Sequence, residues 1–164
     1  WKRPHTDAII FEPRPVASLE VVMRIPMKVD YGVRALVELA SVYSEGQVRT
    51  ADIAYHQGIP EAYLDQLMTT LNKFGFVISR RGPNGGHKLA MPPGDITLGM
   101  VMGTLDGNTS PLDCFINPED CVLSNTCAQQ EVWKSVEDAV QDLLSKITLA
   151  DLSRRQSLMA GPRA

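Results

Sequence analysis

Residues Thr50–Phe74 read TADIAYHQGIPEAYLDQLMTTLNKF. Two helical periods meet here at Gly58-Ile59-Pro60. In the first, Thr50 is a good N-cap for a helix over Thr50–His56, with Ile53, Ala54 and the nearby Ile59 on its inner face. Gly58 stops that helix. Pro60 opens the second at a position where a missing N–H costs nothing, and the period runs to about Phe74. Leu64, Leu67, Met68 and Leu71 fall inward. A short helix, a turn holding a glycine and a longer helix make the helix-turn-helix outline. The outward side of the second helix carries Glu61, Tyr63, Asp65, Gln66, Thr69, Thr70 and Lys73, polar groups able to reach base edges in a major groove.

The chain on the C-terminal side extends this outline. Gly75 ends the helix, Phe76–Arg80 alternates as a strand, residues 81–86 form a tight turn, and His87–Met91 is the return strand. Alone, such a hairpin reads as an ordinary connector. Directly after a helix-turn-helix it reads as a wing, whose glycines allow close backbone approach to a phosphate and whose Arg81 can enter a minor groove. Arg80, Arg81, Gly82, Asn84, Gly85 and Lys88 therefore join the expected DNA-facing set of Glu61, Tyr63, Gln66, Thr69, Thr70 and Lys73.

Charge sharpens the picture. The net charge of −3 argues weakly against a nucleic-acid partner. The average hides a segregation, however: Leu71–Met91 has no acidic residue but holds Lys73, Arg80, Arg81 and Lys88, whereas Pro92–Thr126 has acids and no Lys or Arg. Two solvated surfaces of opposite sign would look the same. With the wing in place, a polyanion on the basic face is the better account.

On the N-terminal side, Asp30–Ser44 is helical, with Val33, Leu36, Val37, Leu39, Ala40 and Tyr43 apolar, Asp30 placed to cap it and Gly46 to end it. Residues 1–22 contain three prolines and no sustained period, and read as a flexible extension without a signal peptide. Beyond Pro92-Pro93-Gly94, Ile96–Leu105 is a short helix with Thr97 near its cap. Gln129–Ile147 is a long amphipathic helix with an apolar stripe of Val132, Trp133, Val136, Val140, Leu143, Leu144 and Ile147. That stripe suits packing on its own copy, since two-fold dimers match two half-sites, although it could also pack on its own domain. The expected division is a flexible extension (1–22), a winged helix-turn-helix (23–93), a cysteine loop with a dimerisation helix (94–152) and a flexible tail (153–164). The fold class is mainly α with a small β-hairpin wing.

All three cysteines, Cys114, Cys121 and Cys127, lie in a loop rich in helix breakers between those last two helices. An odd count disfavours a disulfide framework, and the cytoplasm is the default without a secretion signal. A loop with three thiols and little apolar content needs another source of order, which a bound metal centre supplies. No apolar run is long enough to span a bilayer. An enzyme is not expected: there is no glycine-rich phosphate loop at a strand–helix junction and no nucleophile–base pair, and His5, His56 and His87 read as scattered surface residues.

From Met23 to about Leu152, about four-fifths of the chain, the sequence resembles the IscR, NsrR and RirA group of bacterial winged-helix regulators. The resemblance is carried by Met23-Arg24-Ile25-Pro26, by residues 30–36 at the first helix, by residues 59–67 at the recognition helix, by the wing at 81–86, and by Cys127, Trp133 and Ile147-Thr148-Leu149. It implies a homodimeric DNA-binding repressor that carries an iron–sulfur cluster and senses iron, nitric oxide or redox state, with no small-molecule substrate required. The spacing Cys-x6-Cys-x5-Cys is close to the family's pattern, with one residue more in the first gap than many members have. Where IscR-type members place a histidine as fourth ligand of a two-iron cluster, this chain has Gln130, a poor iron ligand. Where NsrR-type members place an acid that ligates a four-iron cluster from the other subunit, this chain has Asp30. The resemblance thus implies Cys114, Cys121, Cys127 and Asp30 as metal ligands and favours a 4Fe-4S over a 2Fe-2S cluster. Asp30 as a simple helix cap is the competing reading. Two alternatives for the whole chain stand beside this one: a same-fold regulator without a cluster, and a zinc-binding structural or interaction module.

Overall fold

The structure, a computed structural model, describes residues 24–82, 85–107, 117, 119, 121–123 and 126–160. The extension 1–22, Asn84, Cys114 and residues 161–164 lie outside the described residues. The order is α1 (Met27–Ser41), α2 (Thr50–Gln57), α3 (Glu61–Lys73), β1 (Val77–Arg80), β2 (Gly86–Leu89), α4 (Leu98–Asp106), α5 (Ala128–Lys146) and α6 (Leu149–Ala160). The architecture is mainly helical with one antiparallel hairpin, paired Val77 to Leu89 through Arg80 to Gly86.

One buried cluster joins these elements. Leu36 and Leu39 of α1, Ile53 of α2, and Leu64, Met68 and Leu71 of α3 meet Val77 and Leu89 of the hairpin, Val101 of α4 and Leu149 of α6. The inward faces of the two helix-turn-helix segments are those their periods dictate. Gly58 adopts φ +61°, and Ile59 N–H returns to the Ala54 carbonyl at 2.9 Å, so the glycine ends α2 in the left-handed region that a side chain would resist.

Several helix starts differ from expectation, each for a local reason. α1 begins three residues early because the Pro26 carbonyl accepts from Val29 and Asp30 N–H at 2.9 and 3.1 Å. Asp30 therefore lies inside the first turn and caps nothing. Thr50 is the first residue of α2 rather than its cap, which is Arg49. Pro60 is the N-cap residue of α3, its carbonyl accepting from Tyr63 and Leu64 N–H at 3.0 Å each. Thr97 does cap α4, accepting from Met100 N–H at 3.2 Å.

The hairpin gains one further rung, from outside its own two strands, that the sequence hides. Val48, ahead of α2, and His87 of β2 exchange both backbone hydrogen bonds, at 2.9 and 2.8 Å. Gly86 makes this approach possible, because a Cβ there would lie 2.6 Å from the Val48 carbonyl oxygen. Gly86→Ala is accordingly expected to destabilise the domain by about 1–3 kcal/mol through overpacking against backbone. Thermal unfolding checks this, and an unchanged midpoint would show that the rung is dispensable.

The C-terminal end also departs from expectation. The tail reading of 153–164 is corrected as far as Ala160, because α6 continues to that residue and packs along α1. Its start is a reciprocal cap: Thr148 N–H donates to Asp151 Oδ2 and Asp151 N–H donates to Thr148 Oγ1, both at 3.1 Å. Hydrogen bonds from Thr148 hold the Asp151 carboxyl below its usual range. Thr97 and Thr148 pair as an isolated bridge, with Leu98 N–H to the Ile147 carbonyl at 2.8 Å and Leu149 N–H to the Ile96 carbonyl at 2.9 Å. The chain thus leaves the winged unit at Thr97 and returns to the same place at Thr148. α4 packs on α1, and α5 packs on α4. α5 itself buries no residue, and Val132, Trp133, Val136 and Leu143 of its stripe are exposed.

Candidate nucleic-acid interface

α3 is held at a fixed angle by contacts made from α1. Tyr31 of α1 meets Tyr63 in the first turn of α3 edge-on, with ring centroids 5.7 Å apart. The Arg34 guanidinium lies 5.5 Å from the Tyr31 ring and donates to the carbonyl of Gln57, the last residue of α2. The Glu38 carboxylate is buried, and it is satisfied by His56 Nδ1 and Gln57 Nε2, each at 2.8 Å. Burying a carboxylate without partners would be costly, so these two side chains tie the end of α2 to α1.

Between α3, the start of α2 and the wing lies an open groove. It is lined by Arg49, Thr50 and Ala51, by Glu61, Asp65, Thr69 and Asn72 of α3, and by Ser79, Arg80, Arg81, Gly82, Gly85, Gly86 and His87 of the hairpin. Six residues of the expected DNA-facing set come together here: Glu61, Thr69, Arg80, Arg81, Gly82 and Gly85. Gln66 and Lys73 of α3 and Lys88 of β2 are exposed outside the groove lining, and Thr70 is half-buried. Tyr63 leans back on Tyr31 and presents only part of its ring outward. Asn84 lies outside the described residues.

The chemistry of the lining is graded. Thr69 and Thr70 spend their hydroxyl protons on the Asp65 and Gln66 carbonyls, at 2.9 and 3.1 Å. Their oxygens are left as acceptors, suited to base amino groups and not to phosphate. Glu61 and Asp65 likewise only accept when ionised. Donors for phosphate come from Arg49 at the foot of α2 and from Arg80 and Arg81 on the wing, and among the described residues none of the three is in an ion pair. Acceptors on the helix flanked by cationic donors match bases flanked by backbone.

Sequence reading missed Arg49, Thr50, Asn72, Ser79 and His87. Arg49 and Thr50 are brought in by the Val48 rung, a long-range pairing without local signal. His56 is exposed, as expected of a surface residue, whereas His87 is half-buried. His56 pairs with Glu38. His87 Nε2 meets Thr50 Oγ1 at 2.9 Å and its Nδ1 meets Ser79 Oγ at 2.8 Å. Burial holds the His87 imidazolium below the usual histidine range, with the Asp65 carboxylate partly opposing it.

The candidate metal ligands are only partly placed. Cys121 and Cys127 are half-buried free thiols, and Cys114 lies outside the described residues. Cys127 is the N-cap residue of α5. Asp30 is exposed and sits 3.5 Å from Arg34 of its own helix. Among the described residues no group of three metal-binding side chains is assembled within one chain.

Comparison with known proteins places the chain. The family model described as "Rrf2: Iron-dependent Transcriptional regulator" matches residues 25–155. The transcriptional regulator IscR of Pectobacterium carotovorum subsp. carotovorum (strain PC1) is 35% identical over 137 residues, covering 84% of this chain and 83% of the relative. Among solved structures, T. potens IscR superposes with a TM-score of 0.70 at 32% identity, covering 87% of this chain and 94% of that one. CymR, the global cysteine regulator of B. subtilis, gives 0.70 at 34% identity, covering 82% and 98%.

Proposed function

The chain belongs to the Rrf2 family of transcriptional regulators and is not an enzyme, and on that premise we propose a homodimeric repressor whose grip on duplex DNA is set by an iron–sulfur cluster. In this reading Cys114, Cys121 and Cys127 of one chain hold the cluster together with Asp30 of the partner subunit, and four irons are favoured over two.

The observation that carries it is the side-chain path from Asp30 to the DNA-reading helices. Asp30 leans on Arg34, and Arg34 donates to the end of α2 and stacks over Tyr31, which braces Tyr63 of α3. Drawing the Asp30 carboxylate away from Arg34 changes what holds both helices of the motif, so occupancy at Asp30 is felt at the groove. The donor set fits the group: free thiols, one of them at a helix N-terminus, and an exposed carboxylate. Bound there, the cluster supplies an iron–sulfide core that oxygen, nitric oxide or iron shortage can dismantle, the more so with one non-thiolate ligand.

The exposed stripe of α5 supports the dimer. Val132 and Leu143 are 62% and 60% exposed, a state that a copy of the same helix would relieve. Two recognition helices held at a fixed spacing then meet two half-sites. Among the described residues no helix is long and apolar enough to cross a membrane.

Anaerobic purification tests the reading. Brown protein with about four irons and matching sulfide per chain, dimeric by light scattering, is the expected result. About two irons per chain would favour the two-iron alternative. Colourless protein with stoichiometric zinc would make the loop a structural zinc site. Metal-free dimer that still binds duplex DNA would place the chain with regulators that do without a cluster.

A further inference from the structure

Among the described residues, the His87 side chain is the one polar link between the wing and the start of α2 whose protonation state alters what the groove can donate. Its two ring nitrogens are both committed, to Thr50 Oγ1 and to Ser79 Oγ. A neutral imidazole has one N–H and one lone pair, so one of these hydroxyls must point its proton inward to the ring. A protonated ring donates from both nitrogens, and then both hydroxyls accept from it. The one hydroxyl proton that the neutral ring holds is then released toward the groove that Thr50 and Ser79 line.

We propose that His87 is a positioning residue for DNA binding, and that seating a duplex in the groove is accompanied by proton uptake at its ring. This rests on the groove being the DNA site. The groups facing His87 are Asp65 and Glu61 from α3, Arg49 and Thr50 from the α2 side, and Ser79, Arg80 and Arg81 from the hairpin. Lys88, the next residue of β2, falls on the opposite face. In the free protein, burial favours the neutral ring. A phosphate backbone set against Arg49, Arg80 and Arg81 neutralises the nearby cations and adds negative potential, which favours the charged ring. Protonation in turn frees whichever of the Thr50 and Ser79 hydroxyls had donated to the ring, so that both can donate to phosphate oxygens and proton and polyanion bind cooperatively. The sign follows from linkage: the ring's proton affinity is raised in the complex, so duplex affinity is highest at low pH and falls as pH rises.

The test uses the full chain and a fluorescent duplex of mixed sequence, at fixed ionic strength, between about pH 5.5 and 8, a window centred near the usual histidine range. The wild type is expected to lose up to about tenfold in affinity per pH unit for each protomer. His87→Gln keeps a hydrogen-bonding side chain without a titrating ring and is expected to bind with a flat profile near the wild type's high-pH affinity. His56→Gln, which alters the tie between α1 and α2 and not the groove, is expected to change affinity alike at every pH and to keep the wild-type slope. Calorimetry in buffers of different ionisation enthalpy should show fewer protons taken up by His87→Gln than by the wild type. Should His87→Gln misfold, Ser79→Ala removes one partner and is expected to shift the profile's midpoint. Tight binding with no pH dependence in the wild type, or full pH dependence in His87→Gln, overturns the proton linkage and leaves the groove standing. No duplex binding at any pH overturns both.

Discussion

Replacing Arg80 and Arg81 together by alanine is expected to weaken duplex binding by about a hundredfold and to reduce the salt slope by about two for each protomer. Both side chains are exposed at the mouth of the groove, and among the described residues neither is neutralised by a carboxylate. Arg80 is the last residue of β1, paired with Gly86, so its backbone is fixed while its side chain is free to reach phosphate. Removing the two should lower affinity for all sequences alike, because backbone contacts position without reading bases. Fluorescence anisotropy over a salt series measures this directly. A slope unchanged by the double substitution would take the wing off the DNA. Lys73→Ala, outside the groove lining, is expected to cost less.

The second large effect concerns the thiols. Cys127→Ala is expected to purify anaerobically without visible colour or bound iron, since one lost thiolate in three leaves too few strong ligands to retain a cluster. Asp30→Ala should behave differently. It leaves all three thiols but removes both the proposed oxygen ligand and the carboxylate that leans on Arg34. The expected outcome is a cluster with an altered spectrum that is lost faster in air, together with a changed duplex affinity. An unchanged cluster in Asp30→Ala, judged by absorption and anaerobic mass measurement, would return Asp30 to the role of a surface residue of α1. Iron retained in Cys127→Ala would remove the loop from the centre of the reading altogether.

What the sequence disclosed and what it withheld divide along a physical line. The recognition helix was legible because burial on one side imposes a period, and Leu64, Leu67, Met68 and Leu71 are all buried. Gly58 was legible because its left-handed backbone has a residue-type signature. Thr50 misled because a threonine before a helical run is a good cap locally. Its hydroxyl is instead claimed by His87, thirty-seven residues away, and no local pattern carries that pairing. The Val48 rung was invisible for the same reason. α6 was missed although Thr148 and Asp151 hold the spacing of a reciprocal cap, because the polar run after Arg154 suggested a tail. Of the site, the wing arginines and the helix acceptors were readable from composition and order. The floor of the groove was not, because it is assembled by tertiary contacts between α2, β1 and β2.

The pairing of Thr97 with Thr148 has a bearing on how such a protein can diverge. The chain beyond α4, which itself packs on α1, comes back to that pairing, so its contour length is decoupled from the footing of the DNA reader. A residue added between Cys114 and Cys121 would lengthen that segment without moving either threonine. That part of the chain can therefore lengthen or shorten while the reading helices keep their footing.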